Sequence, residues 1–168
     1  MTIDTAVLDK IVGFINETGI PCKPAKLEPG TFLPGIDIQQ GAIVYDAALM
    51  PYPGDLLHEA GHIAILRPHY RTVAQSPDNL FGDSNKDACE MAAIAWSWAA
   101  LKHLEIDPAI VFHEHGYKGS SASLISNFGQ GKYLGVPMLQ LYGMTTCPDP
   151  NKKPDAHTYP AMKHWVRQ

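Results

Sequence analysis

The chain has 168 residues, of which 45% are hydrophobic, so it is long enough to bury the core of one compact domain. Its 13 lysines and arginines are outnumbered by 17 aspartates and glutamates, and no basic cluster occurs that could follow a phosphate backbone. We therefore predict a single domain over residues 1–168 and expect no direct binding to nucleic acid.

The N-terminal part of the chain is predicted to form one helix and then a small sheet. Apolar residues recur at helical spacing after Asp4, a residue type that caps helices, and Gly19 follows as a stop. These apolar residues are Leu8, Ile11, Val12 and Ile15. The segment 36–46 is rich in strand formers on either side of Gln39, Gln40 and Gly41, which predicts two short strands.

The rest of the chain is predicted to be mainly helical. Asp55 can cap a helix over residues 56–66 that Pro68 stops, and a polar stretch, 69–86, then predicts a long loop. Residues 87–103 are alanine-rich and apolar on all sides, as in a helix at the centre of a domain. Short helices are expected after Pro108 and within 120–141, followed by a loop-like tail from residue 145. The predicted fold class is α+β.

Features of the sequence favour a cytoplasmic protein. Residues 1–10 carry no positively charged leader before an apolar run, and no stretch approaches 18 uninterrupted apolar residues. Cys22, Cys89 and Cys147 are widely spaced, with no CxxC pair, which is typical of a reducing compartment rather than a disulfide framework. We expect neither secretion nor association with a membrane.

The sequence HEAGH occupies residues 58–62 within the predicted second helix. A helix places His58 and His62 on one face about one turn apart, within reach of one ion, with Glu59 beside the open coordination position. A metal lowers the pKa of a water molecule, and a neighbouring carboxylate can take its proton as the water attacks a carbonyl. This pattern is typical of HExxH metallopeptidases and predicts Zn²⁺ held by both histidines, with Glu59 as general base. The apolar flanking residues argue against chance occurrence, because buried polar groups need a partner such as a metal.

Glu90 is the best candidate for a third zinc ligand. It is the only charged residue between Ala88 and Leu101, and a lone carboxylate in an apolar helix is unfavourable unless it meets a cation. A buried salt bridge to a distant arginine such as Arg67 is the alternative explanation. Asp87, one turn earlier, could instead be the ligand, but it stands where a helix cap is expected.

Other histidines fit a metal site less well. A metzincin would carry a third histidine six residues after His62, with an intervening glycine, but those positions are Pro68 and Ile65. His113 and His115 flank Glu114 and could orient a ligand or stabilise an oxyanion, although such a pair is more often a polar helix end. Tyr117 and Tyr142 are weaker candidates for such a role, since tyrosines usually pack with the hydroxyl at the surface.

Three segments together resemble the ImmA/IrrE-type metallopeptidases, over roughly residues 41–101. They are Ile43-Val44-Tyr45-Asp46, Leu57-His58-Glu59-Ala60-Gly61-His62-Ile63 and Glu90-Met91-Ala92-Ala93. The resemblance implies a gluzincin-like zincin fold, in which a small sheet packs on the HExxH helix and on a buried helix that bears Glu90. It also implies zinc held by His58, His62 and Glu90, with Glu59 as general base, in a cytoplasmic enzyme.

The predicted function is zinc-dependent hydrolysis of a peptide bond. Members of the resembled family cleave a regulatory protein, often a helix-turn-helix repressor, and the resemblance implies that the strand near Val44 binds an extended peptide. The motif specifies the activated water rather than the acyl group, so hydrolysis of a non-peptide amide stays open. The rival from another class is a non-catalytic metal-binding or protein-interaction module on the same fold, which a closed site with four protein ligands would favour.

Overall fold

The computed structural model describes residues 4–75 and 86–168, and within these ranges it contains seven α-helices and one three-stranded sheet. In chain order the elements are α1 (Thr5–Glu17), β1 (Cys22–Pro24), β2 (Ile36–Gln39), β3 (Ala42–Tyr45), α2 (Asp55–Ala64), α3 (Pro68–Arg71), α4 (Lys86–Leu104), α5 (Pro108–Val111), α6 (Ser121–Gly129) and α7 (Val136–Leu141). A 3₁₀ turn, Tyr117–Gly119, lies between α5 and α6. The predicted α+β class is confirmed.

The first helix forms as its sequence predicts. Asp4 caps α1, since its carboxylate accepts hydrogen bonds from the backbone N–H groups of Ala6 and Val7. Its buried residues are Leu8, Ile11, Phe14 and Ile15. Burial of this apolar face holds α1 against α2, α4 and β1.

The two predicted strands form an antiparallel hairpin. Its tight turn is made by Gln40 and Gly41, both with positive φ, and the register sets Ile38 opposite Ile43. Side chains that alternate along β2 therefore enter the core at Ile36 and Ile38.

Strand β1, which precedes the hairpin in the chain, was not predicted from the sequence. It is only three residues long and ends in proline, and it pairs in parallel with β3, with Cys22 opposite Ile43. The strand order is β1-β3-β2, so β3 is central and has a neighbour along each edge. An extended peptide therefore cannot add as a strand to β3 itself, because strand addition needs a free edge. Binding of an extended peptide near Val44 through other contacts stays a prediction.

The helix that carries HEAGH is confirmed, with a different N-terminus. The structure begins α2 at Asp55 with Gly54 as the N-cap residue, whereas the sequence predicted Asp55 as the cap. The carboxylate of Asp55 is engaged elsewhere, since it lies 2.9 Å from Nε2 of His113. Gly54 is required here, because a Cβ at this position would lie 2.1 Å from the carbonyl oxygen of Ile110.

The alanine-rich helix α4 runs through the centre of the structure. From Ala92 to Leu101 every residue is buried, as its uniformly apolar sequence predicts. Its contacts with α2 are the most extensive between any two of the described elements. None of the helices in the described ranges is both long and apolar enough to cross a lipid bilayer.

The polar stretch 69–86 is described only in part. Its first residues belong to the four-residue helix α3, which begins at Pro68 and was not predicted. Residues 76–85 of the predicted loop lie outside the described residues.

The C-terminal tail is irregular, as predicted, but it packs into the core. Trp165 lies against Phe14 and Trp96, and its carbonyl accepts a hydrogen bond of 2.8 Å from the indole of Trp96. The backbone N–H of Arg167 donates to the carbonyl of Ala64 at 2.8 Å. The tail thus satisfies a carbonyl at the C-terminal end of α2, the helix that carries HEAGH.

The glycine of the HEAGH motif sets the distance between α2 and α4. A Cβ at Gly61 would lie 2.9 Å from the carbonyl oxygen of Ala93, so only glycine lets the two helices cross this closely. Gly61→Ala should lower the free energy of unfolding by about 1–3 kcal/mol, the usual effect of overpacking, and should weaken metal binding. Gly13→Ala in α1 is the matched control, because nothing lies within 4 Å of its added Cβ.

This prediction is measured by thermal and denaturant unfolding of both variants. Gly13→Ala should raise stability by about 0.5–1 kcal/mol, because alanine loses less backbone entropy in a helix. Equal effects of the two substitutions would contradict the close helix crossing.

Candidate metal centre

Three side chains that the sequence singled out converge on one point. His58, His62 and Glu90 each offer one ligand atom, and these three atoms all lie within 4.8 Å of one another. Nε2 of His58 lies 3.0 Å from Nε2 of His62. The Glu90 carboxylate faces both rings, with Oε1 3.3 Å from Nε2 of His58 and Oε2 3.2 Å from Nε2 of His62.

Two packed helices place these side chains. His58 and His62 are four residues apart on α2, so their imidazoles project from one face of the helix, where the rings meet edge to face. Glu90 comes from α4, which crosses α2 at the close contact between Gly61 and Ala93. The ion pairs of Glu90 are with the two histidines, so the structure does not support the alternative of a salt bridge to Arg67.

The donor set fits a zinc ion. Tetrahedral zinc with ligand distances of about 2.0–2.1 Å sets neighbouring donor atoms about 3.3 Å apart. The observed separations of 3.0, 3.2 and 3.3 Å are close to that value. Two imidazole nitrogens that face each other can share one hydrogen at most, whereas a cation accepts both lone pairs.

The electrostatics of the site keep Glu90 ionised. Burial would raise the pKa of its carboxyl, but hydrogen bonds and the charges of His58 and His62 outweigh burial and hold that pKa well below its usual range. The side chain of Glu90 remains 41% exposed, whereas those of His58 and His62 are 14% and 9% exposed. The group of donors is therefore open to solvent on the side of the carboxylate.

Glu59, the predicted general base, is buried within α2. Its side chain belongs to the few buried charged groups of the described chain, with 3% of the residue exposed. Its charge contributes to raising the pKa of Tyr117, so the two side chains are near one another. Glu59 is not one of the three residues whose ligand atoms converge, so its proposed role is proton transfer rather than metal binding.

His113 lies next to the site, against the first turn of the helix that carries the two ligand histidines. Its Nε2 is 2.9 Å from Oδ1 of Asp55, and its ring stacks on Tyr52 at a centroid distance of 3.7 Å. Burial raises the pKa of Asp55, while the hydrogen bond and charge of His113 and the charge of His58 act in the opposite direction. His113 is therefore joined to the first turn of α2, one turn before His58.

The two other residues considered for supporting roles lie further from the ligands. His115 is 66% exposed and pairs with Glu114, whose side chain is 86% exposed. Asp87 is exposed in the first turn of α4 rather than ahead of the helix, and it is not among the converging residues. Within residues 4–75 and 86–168, the Nδ1 atom of His58 is buried without a hydrogen-bond partner, so neither residue orients this ligand there.

Tyr117 is a site residue that the sequence favoured less than His113 and His115, because tyrosines usually pack with the hydroxyl at the surface. Its ring meets the His58 ring edge to face, with centroids 5.3 Å apart and an interplanar angle of 81°. Burial raises the pKa of Tyr117 well above its usual value, and the carboxylates of Asp55, Glu90 and Glu59 raise it further. Its hydroxyl is buried rather than at the surface, and no sequence pattern at residues 113–117 shows that residue 117 reaches residue 58.

The chain matches no protein-family model, no curated protein and no solved structure in comparisons with each of these groups. The class of site is defined by its own atoms, which are two imidazole nitrogens and one carboxylate on two packed helices. Such a mixed nitrogen and oxygen set is one that zinc accepts in proteins.

Proposed function

We propose that this protein is a zinc-dependent hydrolase, and specifically a peptidase that cleaves a peptide or protein substrate. The observation that carries the proposal is the convergence of the ligand atoms of His58, His62 and Glu90 within 4.8 Å of one another. The two histidines lie on α2, the helix that also bears Glu59, and Glu90 lies on α4. The HEAGH pattern supplies the chemical roles, since its two histidines bind metal and its glutamate acts on water.

Each residue has a definite role in the proposed mechanism. His58, His62 and Glu90 hold the ion, which when bound supplies Lewis acidity and makes water more acidic. Glu59 takes a proton from the water as the water oxygen bonds to the carbonyl carbon. It then gives this proton to the leaving amine as the peptide C–N bond breaks. Its location in a buried, largely apolar helix keeps this carboxylate beside the reacting atoms rather than in bulk solvent.

The openness of the donor group supports an enzyme over a structural metal site. Structural zinc sites are closed by four protein ligands, whereas catalytic sites keep a position for water or substrate. The described residues supply three donors, and Glu90 is 41% exposed. This arrangement favours the catalytic function over a non-catalytic binding module.

The resemblance to the ImmA/IrrE-type metallopeptidases supports a zincin-type fold and a protein substrate in the cytoplasm. The arrangement of a small sheet, the HEAGH helix α2 and the buried Glu90 helix α4 is consistent with that proposal. Because β3 is paired on both edges, the substrate would reach the site without adding a strand to β3. A non-peptide amide would need the same catalytic residues, so the substrate class is decided by assay.

Removal of the metal tests the proposed function directly. Protein loaded with zinc should cleave a fluorogenic peptide library. The chelator 1,10-phenanthroline should reduce the rate to background, because it removes the ion that makes the attacking water more acidic. Addition of excess Zn²⁺ after removal of the chelator should restore the rate. Cleavage that persists after complete metal removal would contradict the proposal. So would zinc-loaded protein that cleaves neither the peptide library nor a panel of small non-peptide amides.

A further inference from the structure

The hydroxyl of Tyr117 is buried and has no hydrogen-bond partner among residues 4–75 and 86–168. Tyr159 provides the comparison within the same chain, because its buried hydroxyl donates a hydrogen bond of 2.8 Å to the carbonyl of Ala95. Buried polar groups are normally satisfied, and one that is not lowers the stability of the fold. The Tyr117 hydroxyl is therefore unfavourable for folding, unlike that of Tyr159.

The backbone at Tyr117 is also unfavourable. Tyr117 and Lys118 both have φ of 53°, in the left-handed region that residues other than glycine, asparagine and aspartate rarely adopt. Strained conformations of this kind persist where the surrounding structure enforces them, and they cluster at functional sites. Tyr117 thus combines a buried hydroxyl that has no partner among the described residues with a strained backbone, and both lower the stability of the fold.

Surrounding contacts hold the strained turn in place. The ring of His113 binds Asp55 on α2, and it packs so closely on Gly116 that a Cβ there would lie 3.1 Å from its Cε1 atom. The hydroxyl of Ser121 donates to the carbonyl of His113 at 2.6 Å. These contacts fix the segment immediately before Tyr117 against the helix that carries the metal ligands.

The turn directs the Tyr117 side chain toward the reacting centre. Its ring lies against the ring of His58, and Phe112 packs on it with centroids 5.0 Å apart. The charged groups that act on it are Asp55, Glu59 and Glu90, all of which carry carboxylates. Tyr117 is thus a hydrogen-bond donor held beside the proposed ligands and the proposed base.

We propose that Tyr117 is a further catalytic residue, whose hydroxyl donates a hydrogen bond to the oxygen of the reacting carbonyl. As the water oxygen bonds to the carbonyl carbon, the π electron pair moves to the carbonyl oxygen and Glu59 takes the proton of the water. The Tyr117 proton stays on tyrosine and stabilises the negative oxygen, which an immobilised donor does without reorganisation. This inference rests on the proposed function.

The first test compares Tyr117→Phe with Tyr159→Phe. Tyr117→Phe should leave the melting temperature unchanged or raise it, because it removes a hydroxyl without a partner. Tyr159→Phe loses the hydrogen bond to Ala95 and should lower the melting temperature by about 2–4 °C. A comparable loss of stability in Tyr117→Phe would show a structural hydroxyl and overturn the inference.

The second test uses metal content and acetohydroxamate, a small zinc-binding anion without side-chain specificity. Tyr117→Phe should retain as much zinc as wild type and bind acetohydroxamate about 10- to 100-fold more weakly by calorimetry, the usual loss for a hydrogen bond to a charged group. Tyr159→Phe should bind it as wild type does. Loss of zinc from Tyr117→Phe would make the tyrosine a metal ligand instead and overturn the inference.

The same titration separates this inference from the proposed function. Zinc-loaded Tyr117→Phe that binds acetohydroxamate as tightly as wild type would overturn the role of Tyr117 alone. Wild-type protein that takes up no zinc would overturn the proposed function and, with it, this inference. With a peptide that zinc-loaded wild-type protein cleaves, Tyr117→Phe should lower kcat about 100-fold or more.

Discussion

Glu59→Gln is expected to retain its zinc and to lose about 10²- to 10⁴-fold in kcat, the usual contribution of a positioned general base. The amide has nearly the same shape as the carboxylate, but it cannot take a proton from water. Glu59 is buried and lies outside the three ligand residues, so the substitution leaves the donor group intact. Hydrolysis of a fluorogenic peptide and zinc content are measured on the same preparation.

The matched control for this prediction is Glu114→Gln. Glu114 is 86% exposed, and it lies in the segment between His113 and Tyr117, so the same change of charge is made near the site. It should cleave peptide at the wild-type rate, because an exposed carboxylate is screened by solvent. Activity of Glu59→Gln equal to that of wild type would remove Glu59 from the mechanism.

Glu90→Ala should lower zinc affinity by more than the 10- to 100-fold typical of an outer-shell partner. The substitution deletes one of three donors and leaves the two histidines, which lie 3.0 Å apart, as the only protein ligands in the described group. Zinc affinity is measured by competition with a chromogenic chelator. Asp87→Ala is the control, because Asp87 is an exposed carboxylate one turn earlier on the same helix.

The two carboxylates on α4 distinguish a specific ligand from a general charge effect. If zinc affinity falls in Glu90→Ala and is unchanged in Asp87→Ala, the geometry of the site accounts for binding. If both variants lose affinity equally, the negative charge of the helix matters rather than the position of Glu90. Unchanged affinity in Glu90→Ala would mean that the third ligand is another residue.

The longer helices and the hairpin could be predicted because their sequence patterns are local. The four-residue spacing in HEAGH places both histidines on one helix face whatever the rest of the fold does. Glu90 could be selected because a lone carboxylate in an apolar helix needs a cationic partner, and the structure brings it to both histidines. These predictions depended on rules of spacing and burial that can be applied to one short segment of the sequence at a time.

Other features depend on contacts between distant segments. β1 is too short to show a strand pattern, and its pairing with β3 made β3 a central strand. Asp55 reads as a helix cap in the sequence, but the fold brings His113 to its carboxylate. A strained turn places the ring of Tyr117 against the ring of His58, and no local pattern at residue 117 predicts that contact.

The measurement that tests the account most directly is the metal content of wild-type protein, purified without added metal and then analysed for all first-row transition elements. The convergence of His58, His62 and Glu90 predicts one zinc per chain, bound in proportion to protein across the chromatographic peak. Protein that carries no metal and takes up none when Zn²⁺ is supplied would contradict the metal centre, and the hydrolase function would fall with it.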